Sequence, residues 1–303
     1  MNRYTKYFII IILLKLIFFH HTYGIRAIYD SHYSKEFISA TTFAVEQMNR
    51  FFMLKENIII LFQQGTTPSK ALAVTVYLKM CHDLMNPYVL LPPALFAQLY
   101  GINDVLCNST MNSEFVSFII LISDDPSISF FYGMDVSAIK QNEYDLATVV
   151  MHEIIHGMGF FTSIDENGYF AEMPRVGIFD RMLYNFTMDV PLWKIDDAAV
   201  INLTNNQLQF PLSSPLFLYS KFPFLAGTSG EHTMHGIMSY KLGRGVTYRT
   251  LDIFILRIMK LMGYQIQNCE HPDMAHVCGN CDASVFCYVS NASNLISFFH
   301  YFT

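Results

Sequence analysis

Three features of the hydrophobic pattern predict an α+β fold. Apolar residues recur at three-to-four spacing over residues 34–54, which predicts a long amphipathic helix. Two short β-branched runs, at residues 57–62 and 115–122, end in turn-forming residues and predict strands. Residues 145–158 contain no proline, begin at the potential N-cap Asp145 and end at glycines, so they predict a further helix.

The remaining elements complete this architecture. Thr67-Pro68 and Pro92-Pro93 each open a further helical stretch, and Gly101 ends the second. Glycine, proline and asparagine are frequent up to about residue 230, and residues 247–262 then form a last amphipathic pattern that Gly263 stops. We therefore expect an N-terminal half of sheet and helix, followed by a loop-rich C-terminal half that ends in a helix.

The composition is that of a folded chain without a nucleic-acid partner. Hydrophobic residues make up 52% and charged residues 15% of the sequence, against roughly a quarter charged in an average soluble domain. The net charge is -6, and the 19 lysines and arginines form no basic run. This distribution does not suit a phosphate backbone.

The N-terminus has the features of a secretory signal. Arg3 and Lys6 precede an apolar stretch at residues 8–19, and small residues precede a cleavage point after Gly24. The alternative is a retained signal anchor, but the stretch is shorter than the roughly 20 residues that span a bilayer, and Lys15 lies inside it. We expect a signal peptide over residues 1–24, a secreted protein, and no membrane span after cleavage.

Secretion favours disulfides for the six cysteines. Cys81 with Cys107 is the pair we expect in the first half, and the other four cysteines lie in the last part of the chain. Cys278 and Cys281 have a spacing that a structural zinc site could also use. Glycosylation is expected at the four Asn-x-Ser/Thr sequons, Asn108, Asn185, Asn202 and Asn291.

The chemistry of the chain centres on His152-Glu153-Ile154-Ile155-His156. Two histidines at i and i+4 lie on one helical face, one turn apart, where both can reach a tetrahedral zinc ion. Glu153 follows the first ligand and is placed to act as general base toward a zinc-activated water. Gly159 extends the motif to His-Glu-x-x-His-x-x-Gly, the form found in metzincins.

Residues 144–160 resemble the active-site helix of leishmanolysin-like metallopeptidases and of secreted bacterial relatives with an HEIGHGLGF-type core. The resemblance continues through residues 227–232 and 236–239 to the helix that ends at Gly263-Tyr264, and so covers roughly residues 115–265. It implies a metzincin-like α+β catalytic domain with a zinc cleft over residues 25–265. A cysteine-rich tail would then occupy residues 266–303.

The third metal ligand is the open question of the motif. A contiguous metzincin motif would have a histidine at position 162, where this chain has Thr162. The resemblance implies a ligand after a long insertion, which favours His232 and leaves His235 as the alternative. It also implies a methionine turn at Met238 beneath the metal, and a role for Tyr240 at the metal or a developing oxyanion. Glu166 or Glu172 would be the third ligand of a glutamate-type zinc peptidase.

These features together predict a secreted endopeptidase that binds one zinc ion and hydrolyses protein or peptide substrates. Substrate is expected to lie along a sheet edge near residues 115–123. The alternative is a secreted metal-binding pseudoenzyme, or an adhesion or interaction protein, that retains the fold. The intact Glu153 argues against this alternative, because a protein without turnover need not keep a general base.

Overall fold

The computed structural model describes residues 23–101, 116–164, 175–185, 190–191, 208–210, 216–219 and 230–267. The predicted signal sequence lies outside these residues except for its last two positions. Several other predicted features also lie outside the described residues: Cys107, Asn108, Glu166, Glu172, Asn202, Cys269, Cys278, Cys281, Cys287 and Asn291.

Helices and short strands alternate along the described chain, which is a mixed α+β fold with open sheets. The helices are α1 (Lys35–Asn49), α2 (Pro93–Tyr100), α3 (Leu146–Gly157), α4 (Ile178–Arg181) and α5 (Ile253–Met262). The first seven strands are β1 (Ile25–Tyr29), β2 (Phe52–Met53), β3 (Ile58–Gly65), β4 (Ala73–Val76), β5 (Cys81–His82), β6 (Val89–Leu91) and β7 (Phe118–Ser123). They are followed by β8 (Phe130–Phe131), β9 (Tyr144–Asp145), β10 (Val176–Gly177), β11 (Tyr184–Asn185), β12 (Val190–Pro191), β13 (Leu208–Phe210), β14 (Leu216–Phe217) and β15 (Gln265–Ile266).

A four-stranded sheet in the order β1-β3-β7-β4 organises the N-terminal half. Strands β1, β3 and β7 are parallel, and β4 is antiparallel to β7 at the edge. Alternate residues of β3 are fully buried on one face, namely Ile58, Ile60 and Phe62. The strands predicted at residues 57–62 and 115–122 are confirmed. However, β7 is internal, so the prediction of a substrate edge near residues 115–123 is wrong, and the edge strands of this sheet are β1 and β4.

The prediction of a helix after Thr67-Pro68 is also wrong. Only a 3-10 turn forms at Pro68–Lys70, and the chain then extends into β4. The hydrogen-bond ladder to β7, with Val74 opposite Leu121, holds this segment extended. Pairing with a distant strand here outweighs the local preference for a helix.

Helix α1 begins at the N-cap Ser34, whose hydroxyl accepts a hydrogen bond from the N–H of Phe37 at 3.1 Å. Its buried face repeats at helical spacing and packs against α3. The predicted helix is confirmed but ends at Asn49, because the chain turns into β2, which pairs with β15. The predicted α2 is also confirmed, and it ends at Gly101, whose φ is +89°.

Helix α3 packs against α1 and against strands β4 and β7 of the sheet, and every residue of it is buried. Gly157 allows α3 to pack closely on the sheet, because a Cβ at this position would lie 2.3 Å from the ring of Phe118. Gly159 follows with φ +117°, a conformation that favours glycine and turns the chain away from the helix axis. The contact between Gly157 and the Phe118 ring of β7 therefore sets the distance between α3 and the sheet.

Helix α5 begins later than its predicted start at residue 247. The carboxylate of Asp252 accepts hydrogen bonds from the N–H groups of Phe254 and Ile255, both at 3.0 Å, and this cap sets the start at Ile253. Gly263 ends the helix as predicted, with φ +117°. Within the described part of the chain, no helix combines the length and apolarity that a membrane crossing requires.

Candidate metal centre

Three histidine side chains meet at the C-terminal end of α3. The Nε2 atom of His152 lies 3.1 Å from that of His156 and 3.1 Å from that of His232, and the last two are 3.2 Å apart. All three residues are buried. His152 and His156 lie on one face of α3, as their spacing predicts, whereas His232 comes from a loop that follows β14 in the chain.

The hydrogen bonds of the outer ring nitrogens show what this cluster can bind. His152 Nδ1 lies 2.7 Å from the carbonyl oxygen of Ile237, and His156 Nδ1 lies 2.6 Å from that of Phe160. A carbonyl only accepts, so each Nδ1 carries the proton and each Nε2 of the neutral ring presents a lone pair. Lone pairs that face one another across about 3 Å repel unless a cation lies between them. The donor set therefore fits a metal ion, with the three histidines as its protein ligands.

Burial keeps the imidazoles of His152 and His156 neutral. It lowers the pKa of His152 to about 3, and the neighbouring His232 adds to the effect. Burial, with His152 and His232 nearby, also holds the pKa of His156 well below its ordinary range. Since only the neutral ring can offer a lone pair to a metal, both residues are ready to bind one across the physiological pH range.

Glu153 lies beside the histidines, but its carboxylate is not part of the cluster. Its Oε2 accepts a hydrogen bond from Thr75 Oγ1 at 2.8 Å, across to strand β4. Burial raises the pKa of Glu153 to about 7, and the hydrogen bonds from Thr75 partly offset the rise. A carboxylate with this pKa can both take and release a proton near neutral pH.

A network of buried carboxylates connects the His232 loop to the end of α3. Oε2 of Glu231 accepts a hydrogen bond from the N–H of Thr162 at 3.2 Å, and the hydroxyl of Thr162 donates to Asp180 at 2.6 Å. The second oxygen of Asp180 accepts bonds from the N–H and the hydroxyl of Ser163, at 2.8 and 2.6 Å. Thr162, which replaces the histidine of a contiguous motif, is thus a link in the support of the third histidine.

The sequence interpretation missed the roles of Glu231 and Asp180. Glu231 precedes His232 directly, so its position next to a predicted ligand was the available signal. Asp180 gave no such signal, because its contacts to Thr162 and Ser163 exist only in the folded chain. Burial raises the pKa of Glu231 to about 8 and that of Asp180 to about 6.

The other predicted site residues occupy different positions. His235 is exposed and lies outside the histidine cluster, so the structure brings together the set that contains His232. Met238 is fully buried, next to Ile237, whose carbonyl holds His152. Tyr240 is 41% exposed and stacks on Tyr219, with ring centroids 3.9 Å apart and planes 4° apart. The turn role of Met238 and the oxyanion role of Tyr240 stay predictions.

The histidines open onto a cleft of about 600 Å³. The cleft is lined by strand β4, by the histidine-bearing part of α3 and by residues 239–242. The hydroxyl of Tyr77 donates a hydrogen bond to the carbonyl of His156, and its ring packs on Phe161 with centroids 4.8 Å apart. Glu153 and the three histidines lie among the residues that line this cleft, and its volume is within the range of ligand-binding clefts.

Comparison with known proteins gives one partial match. A family model described as SPBPB7E8-like matches residues 101–224, which is less than half of the chain. The matched segment contains His152, Glu153 and His156 and ends before His232. No curated protein and no solved structure matches this chain significantly.

Proposed function

We propose that this chain is a secreted, zinc-dependent endopeptidase of the metzincin type. The observation that carries the proposal is the convergence of the Nε2 atoms of His152, His156 and His232 at 3.1–3.2 Å from one another. Nitrogens bound to one tetrahedral zinc ion at about 2.0–2.1 Å lie about 3.3–3.4 Å apart. The spacing therefore suits zinc, and three histidines are a common ligand set of catalytic zinc sites.

The reaction is hydrolysis of a peptide bond. A bound zinc ion supplies a Lewis acid that polarises the scissile carbonyl and acidifies water. Glu153 accepts a proton from the attacking water at its carboxylate and then returns the proton to the leaving amine. The neutral His152 and His156 remain oriented throughout by the carbonyls of Ile237 and Phe160.

The substrate is an extended protein or peptide segment that lies along β4. This strand is one of the two edge strands of its sheet and the one that lines the cleft, so backbone groups on its open side can pair with an added strand. Such pairing depends on the backbone and tolerates many side chains. Phe161 and Tyr77, which line the same cleft, supply an apolar surface for a side chain of the substrate.

The disulfide of Cys81 supports a secretory route, because disulfides persist in oxidising compartments. All other cysteines of the chain lie outside the described residues, so the pairing with Cys107 stays a prediction. The signal peptide and the glycosylation sites likewise stay predictions.

The test is zinc stoichiometry on the purified protein, combined with cleavage of a quenched-fluorescence peptide library. The wild type is expected to contain one zinc ion and to cleave peptides, and chelation is expected to abolish cleavage until zinc is restored. Glu153→Gln is the matched control, since it keeps the size of the side chain and all three histidines. It should retain zinc and lose at least 10²- to 10⁴-fold in rate, the usual contribution of a general base.

Two results would contradict the proposal. Loss of zinc from Glu153→Gln would make Glu153 a ligand instead of a base. A zinc-loaded wild type that cleaves no peptide in the library would favour the alternative of a secreted metal-binding or adhesion protein.

A further inference from the structure

Thr75 connects the strand that borders the cleft with the proposed general base. It lies on β4, and its Oγ1 is 2.8 Å from Oε2 of Glu153 and 2.7 Å from the main-chain oxygen of the same residue. Among the described residues, Thr75 is the only one whose side chain hydrogen-bonds to this carboxylate.

The direction of the backbone at Thr75 follows from the pairing of β4 with β7. The N–H of Ser123 donates to the carbonyl of Leu72 at 3.0 Å, and in an antiparallel pair hydrogen-bonded and non-hydrogen-bonded residue pairs alternate. Thr75 stands opposite Ile120, which by this alternation is a non-hydrogen-bonded pair. The backbone polar groups of Thr75 therefore point away from β7, toward the open edge and the cleft.

The hydroxyl of Thr75 has one proton and two nearby acceptors on Glu153. The hydroxyl lies 2.8 Å from Oε2 and 2.7 Å from the main-chain oxygen, so it can reach both acceptors from its place on β4. Thr75 can thus hold the carboxylate of Glu153 in a fixed orientation relative to β4 and to the main chain of α3.

We propose that Thr75 is a positioning residue of the active site, which holds the Glu153 carboxylate at the edge strand where the substrate lies. The inference rests on the proposed function, since it assigns a partner to the base of that reaction. Thr75 acts through Glu153 and does not act on the histidines, so its removal should change the rate of the chemical step and leave the affinities for zinc and peptide unchanged.

The experiment compares Thr75→Val with Thr75→Ser. Valine keeps the shape and the strand preference of threonine but removes the hydroxyl, whereas serine keeps the hydroxyl. The matched control is Thr41→Val, the same change at a buried threonine of α1 whose hydroxyl donates to the carbonyl of Phe37 at 3.0 Å. Should Thr75→Val fail to fold, Thr75→Ala carries the same expectation.

The expected result is a kcat about 10- to 100-fold lower in Thr75→Val, the usual effect of losing a group that orients an active-site residue. KM and zinc content should be unchanged, Thr75→Ser should retain most of the activity, and Thr41→Val should match the wild type. A second readout does not depend on turnover. On the inactive Glu153→Ala background, adding Thr75→Val should leave the dissociation constant of a fluorescent substrate peptide unchanged.

The outcomes separate this inference from the proposed function. A wild type that binds no zinc or cleaves no peptide ends the proposed function and this inference with it. If the wild type cleaves peptides and Thr75→Val keeps the full kcat, the inference about Thr75 is wrong and the proposed function is unaffected. An equal loss of kcat in Thr75→Ser and Thr75→Val, or weaker peptide binding on the Glu153→Ala background, would make Thr75 a packing or substrate-binding residue and also overturn it.

Discussion

His232 and His235 lie three residues apart on one loop and have opposite environments. His232 is buried with its Nε2 in the histidine cluster, while His235 is exposed. The loop places His232 inward because Glu231 bonds to the backbone of Thr162 and the carbonyl of His232 accepts a hydrogen bond from the N–H of Tyr219 at 2.7 Å. These two hydrogen bonds are made by Glu231 and by His232 itself, so they fix the backbone directly beside the imidazole.

We predict that His232→Ala empties the metal site and that His235→Ala leaves it loaded. Two protein ligands are fewer than the three that a catalytic zinc site ordinarily has, so loss of His232 should lower zinc affinity severely. The measurement is zinc stoichiometry on both folded variants after gel filtration. If His232→Ala retains zinc and His235→Ala loses it, the prediction is wrong and His235 is the third ligand.

Asp180 is predicted to make stability depend on pH. Burial raises its folded pKa from 3.8 to about 6, so the unfolded chain releases its proton at a lower pH than the folded protein does. The contribution of Asp180 to stability is therefore fully present below pH 3.8 and is lost as the pH rises through about 6. Asparagine does not titrate, so the difference in unfolding free energy between wild type and Asp180→Asn should change across this window.

Urea titrations of the metal-free proteins at intervals from pH 4 to pH 7 measure this difference. Absence of metal removes the competing protonation of the ligands from the comparison. A difference that stays constant across the range would show that Asp180 has the same pKa in the folded and unfolded chains.

At the scale of elements, the N-terminus of α3 is held by a buried ion pair. Asp145 caps the helix through the N–H of Thr148 at 3.2 Å, and its carboxylate lies 2.6 Å from the guanidinium of Arg249. The Asp145 side chain is fully buried and that of Arg249 is 11% exposed. Arg249 also donates to the carbonyls of Gly133 and Met134, at 2.7 and 2.8 Å. One arginine thus joins the start of the histidine helix to the loop that contains Gly133 and Met134.

Replacement of Arg249 by methionine is predicted to destabilise the protein by about 3–5 kcal/mol, because it leaves a buried carboxylate without its partner. The surface pair of Lys140 and Glu143, 3.5 Å apart, provides the control, since the Lys140 side chain is 74% exposed. Lys140→Met should cost no more than about 0.5 kcal/mol. Chemical denaturation of both variants gives the comparison, and equal costs would mean that the Arg249 pair contributes no more than a surface pair.

At the scale of the whole molecule, the candidate centre joins parts of the chain that are far apart in sequence. His156 and His232 are separated by 76 positions and Thr75 and Glu153 by 78. A ligand that binds the folded state alone stabilises that state by mass action, by about 2.7 kcal/mol when its free concentration is 100 times Kd. A metal at this centre therefore ties the two halves of the chain together.

We predict that chelation lowers the melting temperature of the wild type and that zinc restores it. The same treatment should leave His232→Ala unchanged, because that variant lacks the third ligand. The effect should also fade as the pH falls below about 3, where protons begin to compete with the metal for the imidazole of His152. Differential scanning fluorimetry with and without a chelator makes the measurement.

The local sequence pattern was enough to predict those elements that depend on interactions between residues close together in the chain. The face shared by His152 and His156 follows from a four-residue spacing, and α5 ends at Gly263 because glycine accepts a positive φ there. The same applies to α2, which runs from a proline pair to Gly101. In each case the deciding interaction is a backbone preference or a cap that the neighbouring residues reveal.

Only the tertiary structure decided which strand lies at the edge, where His232 lies and what holds Glu153. The segment after Thr67-Pro68 is a strand because β7 pairs with it, and the order of strands in a sheet is not a property of any one of them. His232 faces the cluster because its neighbour Glu231 accepts a hydrogen bond from Thr162 and its own carbonyl accepts one from Tyr219, and Thr75 reaches Glu153 from another layer of the fold. These contacts join positions 13 to 78 residues apart, so their energies depend on how the whole chain packs, and no local window of sequence contains them.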